Sequence, residues 1–492
     1  MKQYSKESTE VMVNQSQGKT KILIKETLYN SVAQALIKLI ETKYFSLKLL
    51  LSIFVLVSVC FCSSLIRQLI LSYLSFEVST TTRTLYETPA LFPKVTICNV
   101  NPFTTEYALE FLKEISHNFK SKIDIFNKTK LNRLNQTYKS SLISNVYHQA
   151  IFKMNSLNQT EKRKLSHPIE DMLQNCYFNA QPCSEFNWYF DPYYGNCWVF
   201  NSEFNPLGFN SFPGEFYGLS LVLYVNFHES LKTINSYNGG LGAVIRIDNS
   251  SYLTSYIGSD GIKVEPGHKT SISVSRSFKY SLPRPYSNCQ IDNKTKSELQ
   301  SELFNIILNS AYRYTQPTCF QQCLQRAIYL ECNCTDPSYV SLFTNVTQCL
   351  SLKETQCMIH LYDEKLYKDD FIQTNCISDC PLECYIEKFD VSLSSFELGS
   401  KYFFDYLKTN TKLNGDFLQT KLDLEMARKS FVGLNIFYKS LSYEISTESP
   451  QTDLIWLLAS IGGYLGLFLG VSVFSLFEPF VVLIEIFFIK FY

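Results

Sequence analysis

Near the C-terminal end of the chain, Leu454 to Phe477 runs for 24 residues without a charged side chain. At 1.5 Å rise per residue, a helix of that length crosses the ~30 Å hydrocarbon core of a bilayer. A lipid-facing anchor needs only apolar bulk. This run instead sets Gly462, Gly466 and Gly470 four residues apart, which aligns them on one helix face. Such a stripe lets backbones approach closely, as helix packing in membranes requires. Ser472 follows two residues later, then Glu478 directly before Pro479. An ionisable group at the end of a span points to an ion path or a water-filled cavity, and the proline predicts a kink. The stretch 451–484 therefore reads as a membrane segment that either packs or lines a pore.

A second apolar run lies towards the other end. Leu49 to Ile66 is 18 residues long, the short end of what a span requires. Arg67 and Gln68 interrupt it, and apolar residues resume to Phe76. The whole of 47–76 is ample, with Arg67 snorkelling or facing protein. Eight lysines (Lys2, Lys6, Lys19, Lys21, Lys25, Lys38, Lys43 and Lys48) lie ahead of the run against four glutamates. That excess predicts a cytoplasmic segment 1–46, and the polar start predicts no cleavable signal peptide. Two crossings leave 77–450 outside and 485–492 as a short cytoplasmic tail. Cys60 and Cys62, inside the first span, read as free thiols.

The charge balance agrees with this plan. The formal net charge is zero, so there is no basic excess to bind nucleic acid. A mean hydropathy near zero suits a large water-exposed domain tied to few spans. Sequons at Asn127, Asn135, Asn158, Asn249, Asn293, Asn333 and Asn345 lie on the predicted outer side, where they are candidate glycosylation sites; a further one, at Asn14, falls on the inner side. Residues 106–175 are polar with helical stretches. Gly218 to Val274 alternates in the manner of strands between Gly, Asn and Pro punctuation. Residues 296–330 read as helical, and Phe431 to Ile445 as a strand.

Sixteen cysteines are present, and no Cys-x2-Cys pair suggests zinc, so an oxidising compartment is implied. Fourteen lie in the outer region, an even number that fits seven bridges. Counting alone leaves the connectivity open. Spacing narrows it: Cys319 and Cys323 share one helix face, and Cys376, Cys380 and Cys384 repeat the same interval. If the two segments run antiparallel, nesting joins Cys319–Cys380, Cys323–Cys376 and Cys289–Cys384, with Cys332–Cys357 and Cys334–Cys349 inside. A metal cluster about Cys332 and Cys334 is the alternative, disfavoured by the absence of a nearby histidine.

The run Gly462-Gly463-Tyr464-Leu465-Gly466-Leu467-Phe468-Leu469-Gly470-Val471-Ser472, with Glu478, resembles the second transmembrane segment of the degenerin/epithelial sodium channel superfamily. Further matches follow in order: Phe92-Pro93-Lys94-Val95-Thr96-Ile97-Cys98-Asn99, Gly195-Asn196-Cys197-Trp198-Val199-Phe200-Asn201, Pro266-Gly267-His268-Lys269-Thr270, and Leu282-Pro283-Arg284-Pro285-Tyr286-Ser287-Asn288-Cys289. The nested cysteine ladder is similar to the family's thumb, and the resemblance supplies the remaining pairs, Cys98–Cys197 and Cys176–Cys183. It implies an α+β membrane protein. Two transmembrane helices flank a large disulfide-rich extracellular domain, a β palm and β-ball with helical finger (about 106–175) and thumb (about 296–385), and three subunits assemble around one pore.

The resemblance also implies roles. Gly470, Val471 and Ser472 would form a selectivity filter interrupting the second helix, where carbonyls and hydroxyls replace part of an ion's hydration shell. Glu478 would add a ring of carboxylates. Ala459 stands at the degenerin gating position and Gly466 at the amiloride contact. Phe76 and Tyr286 would couple the outer domain to the pore. Sodium is then the permeant ion, no cofactor is needed, and the setting is a plasma membrane with both termini cytoplasmic. Partners would be related subunits in a homo- or heterotrimer, membrane lipid, and an extracellular peptide or proton as ligand. Two departures stand out: Gln34-Ala35 replaces the family's His-Gly gating motif, and no histidine lies between Phe76 and Cys98. The first motivates an alternative, a non-conducting modulatory subunit. A pore-less two-span receptor is the reading from another class. No phosphate-cradling loop, metal-ligand cluster or nucleophile elbow suggests an enzyme.

Overall fold

A computed structural model describes residues 42–118, 136–202, 208–225, 240–249, 261–291, 301–366, 368, 370–398, 405, 428–471, 477, 480–481, 484 and 487–488. The chain divides into two compact units, one of Met1–Thr80 with Glu448–Tyr492 and one of Thr81–Thr447.

In chain order the elements are α1 (Phe45–Leu74), β1 (Val78–Tyr86), β2 (Ala90–Leu91), β3 (Lys94–Asn99), α2 (Glu106–Asn118), α3 (Gln136–Ser156), α4 (Gln159–Lys164), α5 (Ile169–Met172), β4 (Leu173–Phe178), β5 (Gln181–Pro182), β6 (Asn187–Asp191), β7 (Gly195–Phe200), β8 (Phe209–Asn210), β9 (Leu219–Tyr224), β10 (Ala243–Asp248), β11 (Ile262–Val264), β12 (His268–Tyr280), α6 (Glu302–Leu308), α7 (Gln316–Cys332), α8 (Leu352–Leu361), α9 (Phe371–Asn375), β13 (Tyr385–Glu397), β14 (Phe431–Pro450) and α10 (Leu454–Leu469).

In the first unit α1 runs unbroken through Arg67 and Gln68. It is the one helix among the described residues long and apolar enough to cross a membrane. It packs on α10, with the Phe61 and Phe468 rings edge-on at 5.4 Å. Asp453 caps α10, its Oδ1 accepting from the Trp456 N–H at 2.6 Å. Within the uncharged run from Leu454 to Phe477, α10 takes 16 residues and stops at Leu469. The cause is Gly470, whose φ of 68° is a left-handed conformation that glycine adopts without a Cβ clash.

The second unit is built on two sheets. Seven strands run in the order β13-β12-β14-β9-β4-β5, with β1 also paired to β14; five run β11-β10-β3-β7-β6. β9 alternates buried and half-buried side chains, the period-2 pattern of a strand facing a core on one side. Leu219, Leu221, Leu223, Ile272, Val274, Leu434 and Ile436 join Val95, Ile97 and Ile245 in one apolar cluster between the sheets. A second cluster joins α2 and α3 to α7, α8 and the π turn Tyr362–Leu366, through Phe103, Leu112, Ile151, Met154, Ile328, Met358 and Leu366.

Seven disulfides are formed, all in the second unit. Cys98–Cys197 bridges facing positions of β3 and β7, and Cys176–Cys183 closes the β4–β5 hairpin. The nested ladder holds Cys289–Cys384, Cys319–Cys380, Cys323–Cys376, Cys332–Cys357 and Cys334–Cys349. Cys60 and Cys62 are free.

Gly242 tests the packing between β10 and β11. Its φ is +141°, and a Cβ there would sit 2.0 Å from the Val264 carbonyl oxygen. Gly242→Ala is expected to cost about 2–4 kcal/mol through backbone strain and displacement of β11. Thermal unfolding of the detergent-solubilised chain checks this; an unchanged midpoint would mean the close approach is not part of the native fold.

Candidate functional site

The closing turn of α10 is the local feature that the resemblance marks. The Gly470 N–H donates to the Gly466 carbonyl at 3.1 Å, and the Val471 N–H folds back to the Leu465 carbonyl at 3.3 Å. One of the four carbonyls that the helix end leaves without intrahelical partners, that of Gly466, is thereby satisfied, and the chain is folded back on the last turn. The end also carries the negative pole of the helix dipole, roughly half an elementary charge, a polarity that favours a cation. Ala459, Gly463, Gly466 and Gly470 are spaced four, three and four residues apart, so they share one face. All four are exposed, and a Cβ added at Gly463 would meet nothing within 4 Å. The face is smooth and unfilled within one chain.

The other expected pore positions, Ser472 and Glu478, lie outside the described residues, as do Gln34 and Ala35. Phe76 belongs to the first unit, has a φ of 51°, and lies 6.3 Å from the Tyr73 ring. Tyr286 belongs to the second, where its N–H donates to the Pro283 carbonyl at 3.1 Å. Of the sequons, Asn127, Asn135 and Asn293 lie outside the described residues. Asn158 is exposed as the N-cap of α4 in a capping box with Glu161. Asn333 and Asn345 are exposed at left-handed turns, and Asn249 donates to the Glu387 carboxylate.

In the second unit a titratable pair joins α3 to the loop after α7. Asp336 is buried; its Oδ1 accepts from the Ser338 N–H at 2.8 Å and its Oδ2 from the Tyr362 hydroxyl at 2.7 Å. Burial raises its pKa above the ordinary value, and those two hydrogen bonds pull the other way. Gln325 grips the same residue, its Oε1 accepting from the Asp336 N–H at 2.8 Å and its Nε2 donating to the Asp336 carbonyl at 2.9 Å. His148 on α3 is half-buried; burial lowers its pKa and the Asp336 charge partly opposes that.

The sequence reading missed this pair, because nothing in the spacing of His148 and Asp336 brings them together. It also missed the two buried glutamines of α7. Gln322 does for the loop what Gln325 does for Asp336: its Nε2 donates to the Val340 carbonyl at 2.8 Å and its Oε1 accepts from the Leu342 N–H at 3.0 Å. A Gln-x2-Gln step on the cysteine face of a helix is the one signal that pointed to them.

The model of the amiloride-sensitive sodium channel family matches residues 28–482, which takes in both apolar helices and everything between. The chain belongs to that family. Degenerin del-1 of Caenorhabditis elegans is 27% identical over 71% of this chain and 50% of its own length. The degenerin-like protein asic-2 of the same organism is 26% identical over 83% of this chain and 76% of its own. The human epithelial sodium channel subunit beta is 27% identical over 65% and 48%. The chain thus spans about half the length of most of the curated relatives it matches.

The pH dependence of stability follows from the His148–Asp336 pair. The histidine pKa is lowered on folding, so its contribution is present above its unfolded value near 6.5 and is lost as pH falls through the folded value. The aspartate pKa is raised, so its contribution is present below 3.8 and is lost as pH rises through the folded value. His148→Gln should remove the acid-side loss and Asp336→Asn the loss on the rising limb. Unfolding midpoints between pH 4 and 8 measure both; curves parallel to wild type would show that neither group is coupled to folding.

Proposed function

We propose that this chain is a subunit of a trimeric, sodium-selective, amiloride-sensitive cation channel in a plasma membrane, as a homotrimer or with related subunits. The carrying observation is the left-handed closure of α10 at Gly470, inside an uncharged run and at the end of a face of small residues. Three such faces around one axis would bring backbones close enough for carbonyls to contact an ion. Sodium passing that narrowing would exchange hydration for Gly470, Val471 and Ser472 oxygens. Glu478 would hold three carboxylates on the path and favour cations. Segments 47–76 and 451–484 would be the two spans, with both termini cytoplasmic and lipid around them.

Gating would start in the second unit. Its finger and thumb share the cluster around Ile151, Ile328 and Met358, so a ligand that shifts one shifts the other. Phe76 and Tyr286 would pass the movement on, and Ala459 would set how tightly the three helices close. Gly466 would take the blocker. The carboxyl and imidazole of Asp336 and His148 suit a proton as ligand, and a peptide remains the other class.

Two-electrode voltage clamp on cells expressing the chain alone tests this. A sodium current blocked by amiloride is expected. Ala459→Phe should enlarge it about tenfold, which is what biasing the closed–open balance by about 1.4 kcal/mol yields when the open state is rare. Silence in both, with the protein shown at the cell surface, would sink the homomeric channel.

A further inference from the structure

Both strands that continue the apolar helices are gripped at one place. β1 starts four residues after α1 ends, and β14 ends three residues before Asp453, the cap of α10. Where β12 pairs with β14, the register jumps: Val274 faces Tyr438, but Arg276 faces Tyr443. β14 therefore carries three extra residues against β12, a wide bulge shaped by a Ser440–Ser442 hydroxyl bond of 2.7 Å. Arg276 fills it. Its guanidinium carbon lies 5.0 Å from the Tyr438 ring centroid and 5.2 Å from that of Tyr443, so a cation sits between two aromatic rings.

The segment just past β1 closes over this arginine. Glu87 Oε2 lies 2.7 Å from Arg276 Nη2, and the Glu87 N–H donates to the Leu441 carbonyl at 3.3 Å. Four residues on, the Tyr438 hydroxyl donates to the Leu91 carbonyl at 2.6 Å. Arg276 is 7% exposed, and neither its Nε nor its Nη2 makes a hydrogen bond among the described residues, so Glu87 holds it as an ion pair. A buried arginine held by one carboxylate depends on that carboxylate, since removing the partner leaves an uncompensated charge. The other charged groups nearby are engaged: Glu387 on β13 accepts from Asn249, and Asp390 is paired with Lys388 and Ser277.

We infer that Glu87 and Arg276 form a clasp at the β14 bulge that fixes the middle of β14 and the chain just past the far end of β1 against β12; because β1 and β14 run on to α1 and α10, the clasp sets how α10 presents Ala459. Calling α10 a gate rests on the channel reading above; the hold of the clasp on α10 does not, and it is measured without a current. Neither residue touches the ion path, so both are positioning residues.

The experiment uses the full chain on intact cells, with Cys60→Ser and Cys62→Ser to remove the free thiols and Ala459→Cys as reporter. A charged, membrane-impermeant methanethiosulfonate is applied, and its reaction rate is read by protection from a biotinylated maleimide on the surface population. Glu87→Gln and Arg276→Gln should each change the rate at least about five-fold, the low end of ordinary coupling between sites. The double variant should change it no further than either single one, because the two act as a unit. Arg276→Lys keeps the charge but loses the planar fork; it should shift the rate in the same direction by a smaller factor, and it serves if the glutamine variant does not reach the surface. Equal rates in every background, zero included, or single effects that multiply in the double variant, would overturn the clasp. Voltage clamp on the same cells reports separately whether a pore conducts.

Discussion

The helical part of the second unit is held by covalent bonds where an apolar core is thin. α7 buries Thr318, Cys319, Gln322, Cys323, Gln325 and Ile328, and one of those six is aliphatic. Two are bridged cysteines, one helical turn apart, that lock α7 to the Cys376–Cys380 segment. Two are glutamines that hold the backbone of the loop between Cys334 and Cys349. Each bridge removes loop-closure entropy from the unfolded chain, typically about 2–4 kcal/mol and more for longer loops. A polar interface of this kind is stable because the alternatives open to the unfolded chain are few, and it keeps a precise geometry without much buried area.

That arrangement explains what could be read from the sequence. A one-turn interval between cysteines on a helix leaves few partners that fit, so nesting of Cys319, Cys323, Cys376 and Cys380 follows from spacing and an antiparallel assumption, and the structure pairs the same residues. The strands β9, β12 and β14 were visible through alternation and punctuation. β1 and β13 were not: their side chains are mostly exposed, so the in–out alternation that identifies a half-buried strand is missing. β1 still carries four threonines and a valine in nine residues, a β-branched excess that marks a strand by composition alone. Arg276 was unreadable for a different reason. Its meaning depends on a bulge in β14, and a register shift leaves no trace in either strand taken singly.

Contacts between distant helices were equally hidden. His148 and Asp336 are brought together by the apolar cluster that packs α3 on α8, and nothing in the local sequence around either residue points to the other. The stripe of Gly462, Gly466 and Gly470 on α10 was legible because it repeats every four residues.

The break at Gly470 carries an argument that apolarity alone does not. Gly470 ends the helix inside an uncharged run of 24 residues, and α10 at 16 residues rises about 24 Å, less than a bilayer core. Backbone that leaves the helix within hydrocarbon exposes N–H and C=O groups, at a cost of several kcal/mol each, unless protein or water receives them. Lipid offers neither. If segment 451–484 spans a membrane, the backbone at Gly470 and Val471 must therefore face other protein or a hydrated passage. The Gly470 and Val471 N–H groups are received by the Gly466 and Leu465 carbonyls; under the channel reading, neighbouring subunits or the ion path would receive the carbonyls. On that reading, the glycine that ends the helix would also supply the close approach that a shared axis needs, and the interruption and the small-residue face would be two consequences of one demand on the backbone.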